Sequence, residues 1–184
     1  VLLSYPTSET SALMPAAVEA LQSERLAPAG LVRRLTSLAF ELSGQDLYEA
    51  QARYVDLFDR TRSLSLQLYE HVHGESRDRG QAMVELLKLY SSRGLELTAK
   101  ELPDHLPVLL EFASTQPPAQ AREFLGEIAH IVRNIFSALS ARQSPYASVL
   151  AAVLELAGER AQTVPLAPEP SLDESWAEPG VFGG

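Results

Sequence analysis

The chain has no cysteine. That excludes a disulfide framework, a thiolate-bound zinc or iron–sulfur cluster, and a cysteine nucleophile. It is compatible with a reducing compartment. Basic residues are scarce as well: 15 Lys and Arg stand against 24 Asp and Glu, a formal net charge of -9. Holding a phosphate backbone needs a basic face, so no nucleic acid partner is expected. No run of about 18 apolar residues occurs, so no membrane-spanning helix is expected. Patterns of the G-x-S-x-G, G-x-G-x-x-G and P-loop types are missing, which leaves hydrolase and nucleotide-binding chemistry without a local motif. Strand-forming residues are few: Val, Ile and Thr together number 22.

What is present favours helices. Leu and Ala number 54 in a chain of 184 residues, and both suit helices as β-branched residues suit strands. The length fits one domain. Apolar residues at the 3.6 period mark successive segments. The first, near 11–25, carries Leu13, Ala17, Ala20 and Leu21. The second, 31–42, aligns Leu31, Leu35, Leu38, Ala39 and Leu42. A third, 45–59, aligns Leu47, Gln51, Tyr54, Val55 and Phe58. Residues 61–73 fit two periods: Leu64, Leu66 and Leu68 alternate as in a strand, while Leu64, Leu68 and Val72 fit a helix. A helix is the expectation, because no second strand is evident to pair with it. Ser76 is placed to cap a helix over 77–92 that ends before Gly94, and Asp104 to cap one over 105–114. Pro117 and Pro118 open the longest stripe, reaching about residue 141 through Phe124, Ile128, Ile131, Ile135 and Leu139. A last helix follows Ser144 and Pro145 and stops at Gly158. The expected organisation is an all-α single-domain helical bundle over 1–160. Residues 161–184 form an acidic tail with Pro165, Pro168, Pro170 and Pro179 and no basic residue, expected to be disordered. That tail holds four of the nine net negative charges.

Two groups of residues invite a chemical reading. Glu70 with His73, and Glu127 with His130, are Glu-x-x-His pairs, and with Glu85 and Glu111 they sketch a di-iron carboxylate bundle enzyme. Helix geometry opposes it: with the apolar stripe of the long helix centred on Ile128, His130 lies about 160° away and Glu127 about 100° away. Solvated side chains are the expectation there. The second group is denser. Asp56, Asp59, Arg60, Arg62, Glu70, His71, His73, Glu75, Arg77, Asp78 and Arg79 fall within 24 residues, interleaved with Tyr54, Phe58, Leu64, Leu68 and Tyr69. A solvated, ion-paired face would look like this. So would a peptide groove, with apolar pockets for anchors and carboxylates for basic flanks.

The run 54–83, YVDLFDRTRSLSLQLYEHVHGESRDRGQAM, resembles the signature of the NarJ family. These are the molybdenum-cofactor assembly chaperones of respiratory nitrate reductase, also called its delta subunit. LLSYP at 2–6, ELPDHLPVLLEF at 101–112 and LDESWAEP at 172–179 are similar to other parts of the family. The chain begins at Val1, so a short stretch is expected to precede it. The resemblance implies an all-helical fold of the redox-enzyme maturation chaperone type, and a cytoplasmic, monomeric protein that is no enzyme. It implies binding of the apo catalytic (alpha) subunit of nitrate reductase, chiefly by its N-terminal segment. No cofactor would be held permanently. The client would stay competent for insertion of the molybdenum guanine dinucleotide cofactor and an iron–sulfur centre before membrane docking. A chaperone of another molybdoenzyme is the alternative. The residues expected to meet the client peptide are Tyr54, Phe58, Asp59, Arg60, Glu70, His71, His73, Asp104, His105 and Pro107.

Overall fold

Apolar side-chain patterning accounts for most of the helices. A computed structural model of the protein describes residues 1–24, 27–74, 76–97 and 101–166. Glu75 and the acidic tail from 167 onward lie outside the described residues. Among the described residues eight α-helices are formed: α1 Ser8–Ser23, α2 Ala29–Gly44, α3 Leu47–Tyr54, α4 Leu68–His73, α5 Arg77–Ser92, α6 Leu106–Ser114, α7 Pro118–Ala141 and α8 Ala147–Leu156. α2 buries all five residues of its stripe, from Leu31 to Leu42. α7 buries Leu125, Ile128, Ile131, Val132, Ile135 and Leu139, and packs along α8, while α1 packs along α2. At 24 residues α7 is about 36 Å long, and the core gathers around it.

α1 begins earlier than the apolar pattern indicates. Thr7 and Thr10 exchange hydrogen bonds between side chain and backbone, at 3.1 and 2.8 Å, in a reciprocal cap that starts the helix at Ser8. The buried face is then set by Met14, with Val18 and Leu21 half-buried, while Leu13 is 51% exposed. The expected third helix is also altered. After Tyr54 the chain makes a π turn, Val55–Asp59, closed by the Arg60 amide donating to the Val55 carbonyl at 3.0 Å. A π turn takes an extra residue per turn. It leaves Phe58 buried edge-on to the Tyr146 ring, with centroids 5.1 Å apart, and Asp59 exposed beside it.

The single helix expected over 61–73 is not formed. A short 3-10 turn, Arg62–Leu64, is followed by an extended stretch and only then by α4. Leu64, Leu66 and Leu68 are all buried, so three alternating leucines do point into the core. The partner that a strand reading lacked is very short: Gln67 pairs with His105 in an isolated antiparallel bridge. Leu106 N–H donates to Leu66 O at 2.8 Å and Leu68 N–H to Asp104 O at 3.0 Å. Asp104 does not cap its own helix. His105 occupies the α6 N-cap position without a side-chain bond, and Asp104 Oδ2 accepts from Tyr69 N–H at 3.1 Å, in the first turn of α4. Ser76 likewise sits at the N-cap of α5 without a side-chain cap. Gly74 ends α4 at φ 55°, ψ -130°, a backbone that L side chains rarely adopt.

Residues 161–166, expected to be loose, lie against the bundle. Ala161 packs on the core and the Val164 amide donates to Ser137 Oγ at 3.0 Å.

Candidate functional site

The bridge between 66–68 and 104–106 fixes two segments side by side, and both face the end of α3. A cleft of about 500 Å³ opens where they meet. Tyr5, Tyr54 and Phe58 form its aromatic side. Asp59, Ser65, Gln67, Glu70, Glu101 and His105 supply its polar side, with Leu66 between. Among the described residues three carboxylates line it, and no Lys or Arg does. Glu70 Oε2 accepts from Ser65 Oγ at 2.7 Å, and His105 Nδ1 lies 3.3 Å from Glu101 Oε2. Burial holds the His105 ring below its ordinary value of 6.5, against the opposing pull of Glu101, Asp104 and Asp59. Burial thus favours the neutral ring, and the described lining of the cleft carries a net negative charge. Burial, with Asp59 and Glu101 near, raises Tyr54 well above the usual phenol range. Its hydroxyl keeps its proton and donates to Leu3 O at 3.0 Å.

Beneath the cleft is a buried polar support. Asp104 is fully buried and Arg79 mostly so, and Arg79 Nη2 lies 3.6 Å from Asp104 Oδ2. The same guanidinium nitrogen donates to Gln67 Oε1 at 2.8 Å. Tyr90 donates its hydroxyl to Pro103 O at 2.8 Å. These bonds tie α5 to the two bridged segments and hold the cleft walls at fixed spacing.

The cleft continues into an apolar trough of about 800 Å³. Tyr5, Glu101 and His105 belong to both. The trough runs between residues 1–5, Ala17, Ala20 and Leu21 of α1, and the start of α6 at Pro107, Val108 and Leu110. Glu24 and Glu111 join Glu101 on its lining.

Of the residues singled out from sequence, Tyr54, Phe58, Asp59, Glu70 and His105 come together in the cleft, and Pro107 lines the trough. The others do not join them. Arg60 is exposed and pairs with Asp56 at 2.9 Å. His71 directs Nε2 at Ser65 O, 2.8 Å away, and His73 packs edge-on to Tyr69. Asp104, at 0% exposure, has no surface to offer a ligand. Tyr5, Ser65, Gln67 and Glu101 line the cleft without having been singled out. Tyr5 and Glu101 lie inside the quoted runs 2–6 and 101–112, and the spacing of Glu101 four residues before His105 was the available signal. Glu127 and His130, proposed for the di-iron alternative, lie exposed on α7 as their helix positions indicate, and Glu85 and Glu111 are exposed on α5 and α6. Among the described residues no group of His, Asp and Glu is arranged to hold a metal ion. No described helix is long and apolar enough to cross a membrane.

The fold and site together define an all-helical protein whose distinctive feature is an acidic cleft opening onto an apolar trough. The sequence matches the nitrate reductase delta subunit family over residues 22–152, and the chain belongs to that family. It is 43% identical over 156 residues to the nitrate reductase molybdenum cofactor assembly chaperone NarJ of Escherichia coli K12, covering 85% of this chain and 66% of that protein. It is 46% identical over 132 residues to the probable assembly chaperone NarW of the same organism, covering 70% and 57%. A probable NarJ of Bacillus subtilis is 33% identical over 166 residues, covering 86% and 87%. The chain thus spans just under two thirds of the E. coli NarJ that it matches. These relatives are named as assembly chaperones rather than catalysts.

Proposed function

We propose that the chain is an assembly chaperone of nitrate reductase. It binds the apo catalytic subunit through that subunit's N-terminal segment and keeps it open for molybdenum cofactor insertion. The observation that carries this reading is the continuity of a negatively charged cleft with an apolar trough. An amphipathic segment with basic residues would lay its apolar face in the trough and its cations toward Asp59, Glu70 and Glu101. Carboxylates of this kind speed encounter and set register, while the apolar contacts hold the complex. The chaperone effect is a population shift: binding a minor, open form of the client raises its population by the difference in affinity. Insertion of an iron–sulfur centre into the same open form, action in the cytoplasm as a monomer, and release before membrane docking complete the proposal. The chain itself takes no part in the chemistry of the cofactor.

Calorimetric titration with a peptide copying the N-terminus of the catalytic subunit tests it. Micromolar or tighter binding that weakens with salt is expected. Absence of heat with a demonstrably folded chain would overturn the proposal. Co-purification of the chain with the apo catalytic subunit checks the whole client.

A further inference from the structure

We infer that Tyr5 is a specificity-determining contact. The strap formed by residues 1–6 makes the wall shared by cleft and trough, and a bound segment is read on both sides of the Tyr5 ring. This rests on the client-binding reading above and adds to it a residue that contacts the client and a residue that positions that contact.

Tyr5 lines the cleft and the trough alike. The strap is fastened on either side of it. Leu3 is buried and its carbonyl accepts from the Tyr54 hydroxyl at 3.0 Å. Pro6 is buried and its carbonyl accepts from Gln51 Nε2 at 2.9 Å. With the backbone held at 3 and at 6, Tyr5 projects between the two hollows, and 43% of its surface stays exposed. One edge is braced against Tyr54, with centroids 5.5 Å apart and planes at 86°. A tyrosine held this way offers a large contact area at little conformational cost. Its face suits a cation directed at the neighbouring carboxylates as well as an apolar side chain on the trough side. The geometry also reassigns Tyr54. Its ring is buried and its hydroxyl is committed to Leu3 O, so it acts on a ligand through the strap, as a positioning residue.

The test titrates the cationic N-terminal peptide of the catalytic subunit into the wild-type chain and into Tyr5→Ala, Tyr5→Phe, Tyr54→Phe and Tyr5→Ala/Tyr54→Phe. Truncating a central aromatic contact weakens binding by about tenfold or more, so Tyr5→Ala should do this with an unchanged thermal midpoint. Tyr5→Phe should bind as the wild type, because the ring and not the hydroxyl makes the contact. Tyr54→Phe should weaken binding about threefold, and should add nothing in the Tyr5→Ala background, since coupled residues are non-additive. Tyr5→Ala binding within about twofold of the wild type would overturn the inference and leave the client-binding reading standing. Additive losses in the double variant would remove the role given to Tyr54. No binding to the wild-type chain would overturn both the inference and the reading beneath it.

Discussion

Removing the Asp104 carboxylate tests whether this residue builds the site or touches what binds there. In Asp104→Ala the Arg79 guanidinium, with a side chain only 18% exposed, loses its counter-charge. The Tyr69 amide loses its acceptor at the same time. Stripping one partner from a buried ion pair costs about 3–5 kcal/mol. Here the Arg79–Asp104 contact is long, at 3.6 Å, and Arg79 keeps its bond to Gln67. The lower end, about 3 kcal/mol, is therefore expected. Asp104→Asn keeps an acceptor for Tyr69 N–H and loses only the charge, so about 1–2 kcal/mol is expected. Urea unfolding followed by circular dichroism measures both, as a lower midpoint at constant slope. Because Asp104 has no exposed surface, the folded Asn variant should bind the client peptide within about threefold of the wild type. An Asp104→Ala stability within about 0.5 kcal/mol of the wild type would refute the supporting role of Asp104. So would an Asp104→Asn variant that loses about tenfold or more in affinity without losing stability.

Three further outcomes are expected. Glu70→Gln keeps an acceptor for Ser65 Oγ but removes one cleft charge; it should weaken peptide binding at low salt, and the difference should vanish near 1 M salt, where screening acts within about 3 Å. A difference that persists at high salt would take charge out of the explanation. His105 is held below 6.5 by burial, so over that range the unfolded chain binds the extra proton. Stability is then full above the unfolded value and is lost as pH falls through the folded one; His105→Gln should flatten this loss below about pH 6.5, and an unchanged pH profile in denaturation would count against it. Gly74→Ala forces a side chain into φ 55° at the end of α4 and should cost about 1–2 kcal/mol in the same urea assay; a neutral result would mean that the turn rearranges.

The helices that can be read from the sequence are those whose burial is decided by one continuous face. α2, α5 and α7 begin and end close to where their stripes and flanking Gly or Pro residues indicate. The site is harder to read because its geometry is set by contacts distant in sequence. Nothing near Leu66 shows that His105 and Leu106 will pair with it across the fold, so the alternation at 64–68 lacked a visible partner. Asp104 stands where a helix cap belongs, and only the tertiary fold brings the first turn of α4 closer to its carboxylate than its own helix. The π turn at Val55–Asp59 inserts an extra residue that the 3.6 period cannot register. Tyr54 and Phe58 were legible as a pair but not in their role, because both rings are almost wholly buried and Tyr5 is the aromatic side chain of the cleft that stays exposed.

The net charge acquires a location once the site is known. Residues 1–160 hold twenty acidic and fifteen basic residues, an excess of five. Among the described residues five carboxylates line the cleft and trough (Glu24, Asp59, Glu70, Glu101 and Glu111), and no Lys or Arg does. Elsewhere among the described residues of 1–160 the two signs nearly balance, fourteen acidic to thirteen basic, so the acidic excess of the described bundle is concentrated at the cleft and trough. Such a field steers a cationic segment toward the groove at rates above those of a uniformly acidic surface. It also imposes a cost: like-charged carboxylates around a hollow repel one another when the hollow is empty. The buried Arg79–Asp104–Gln67 support opposes that repulsion by holding the walls at fixed spacing. A cationic occupant relieves the repulsion, so binding should stabilise the chain more at low salt than at high salt. That separates electrostatic recognition from burial of the trough, whose contribution salt does not screen.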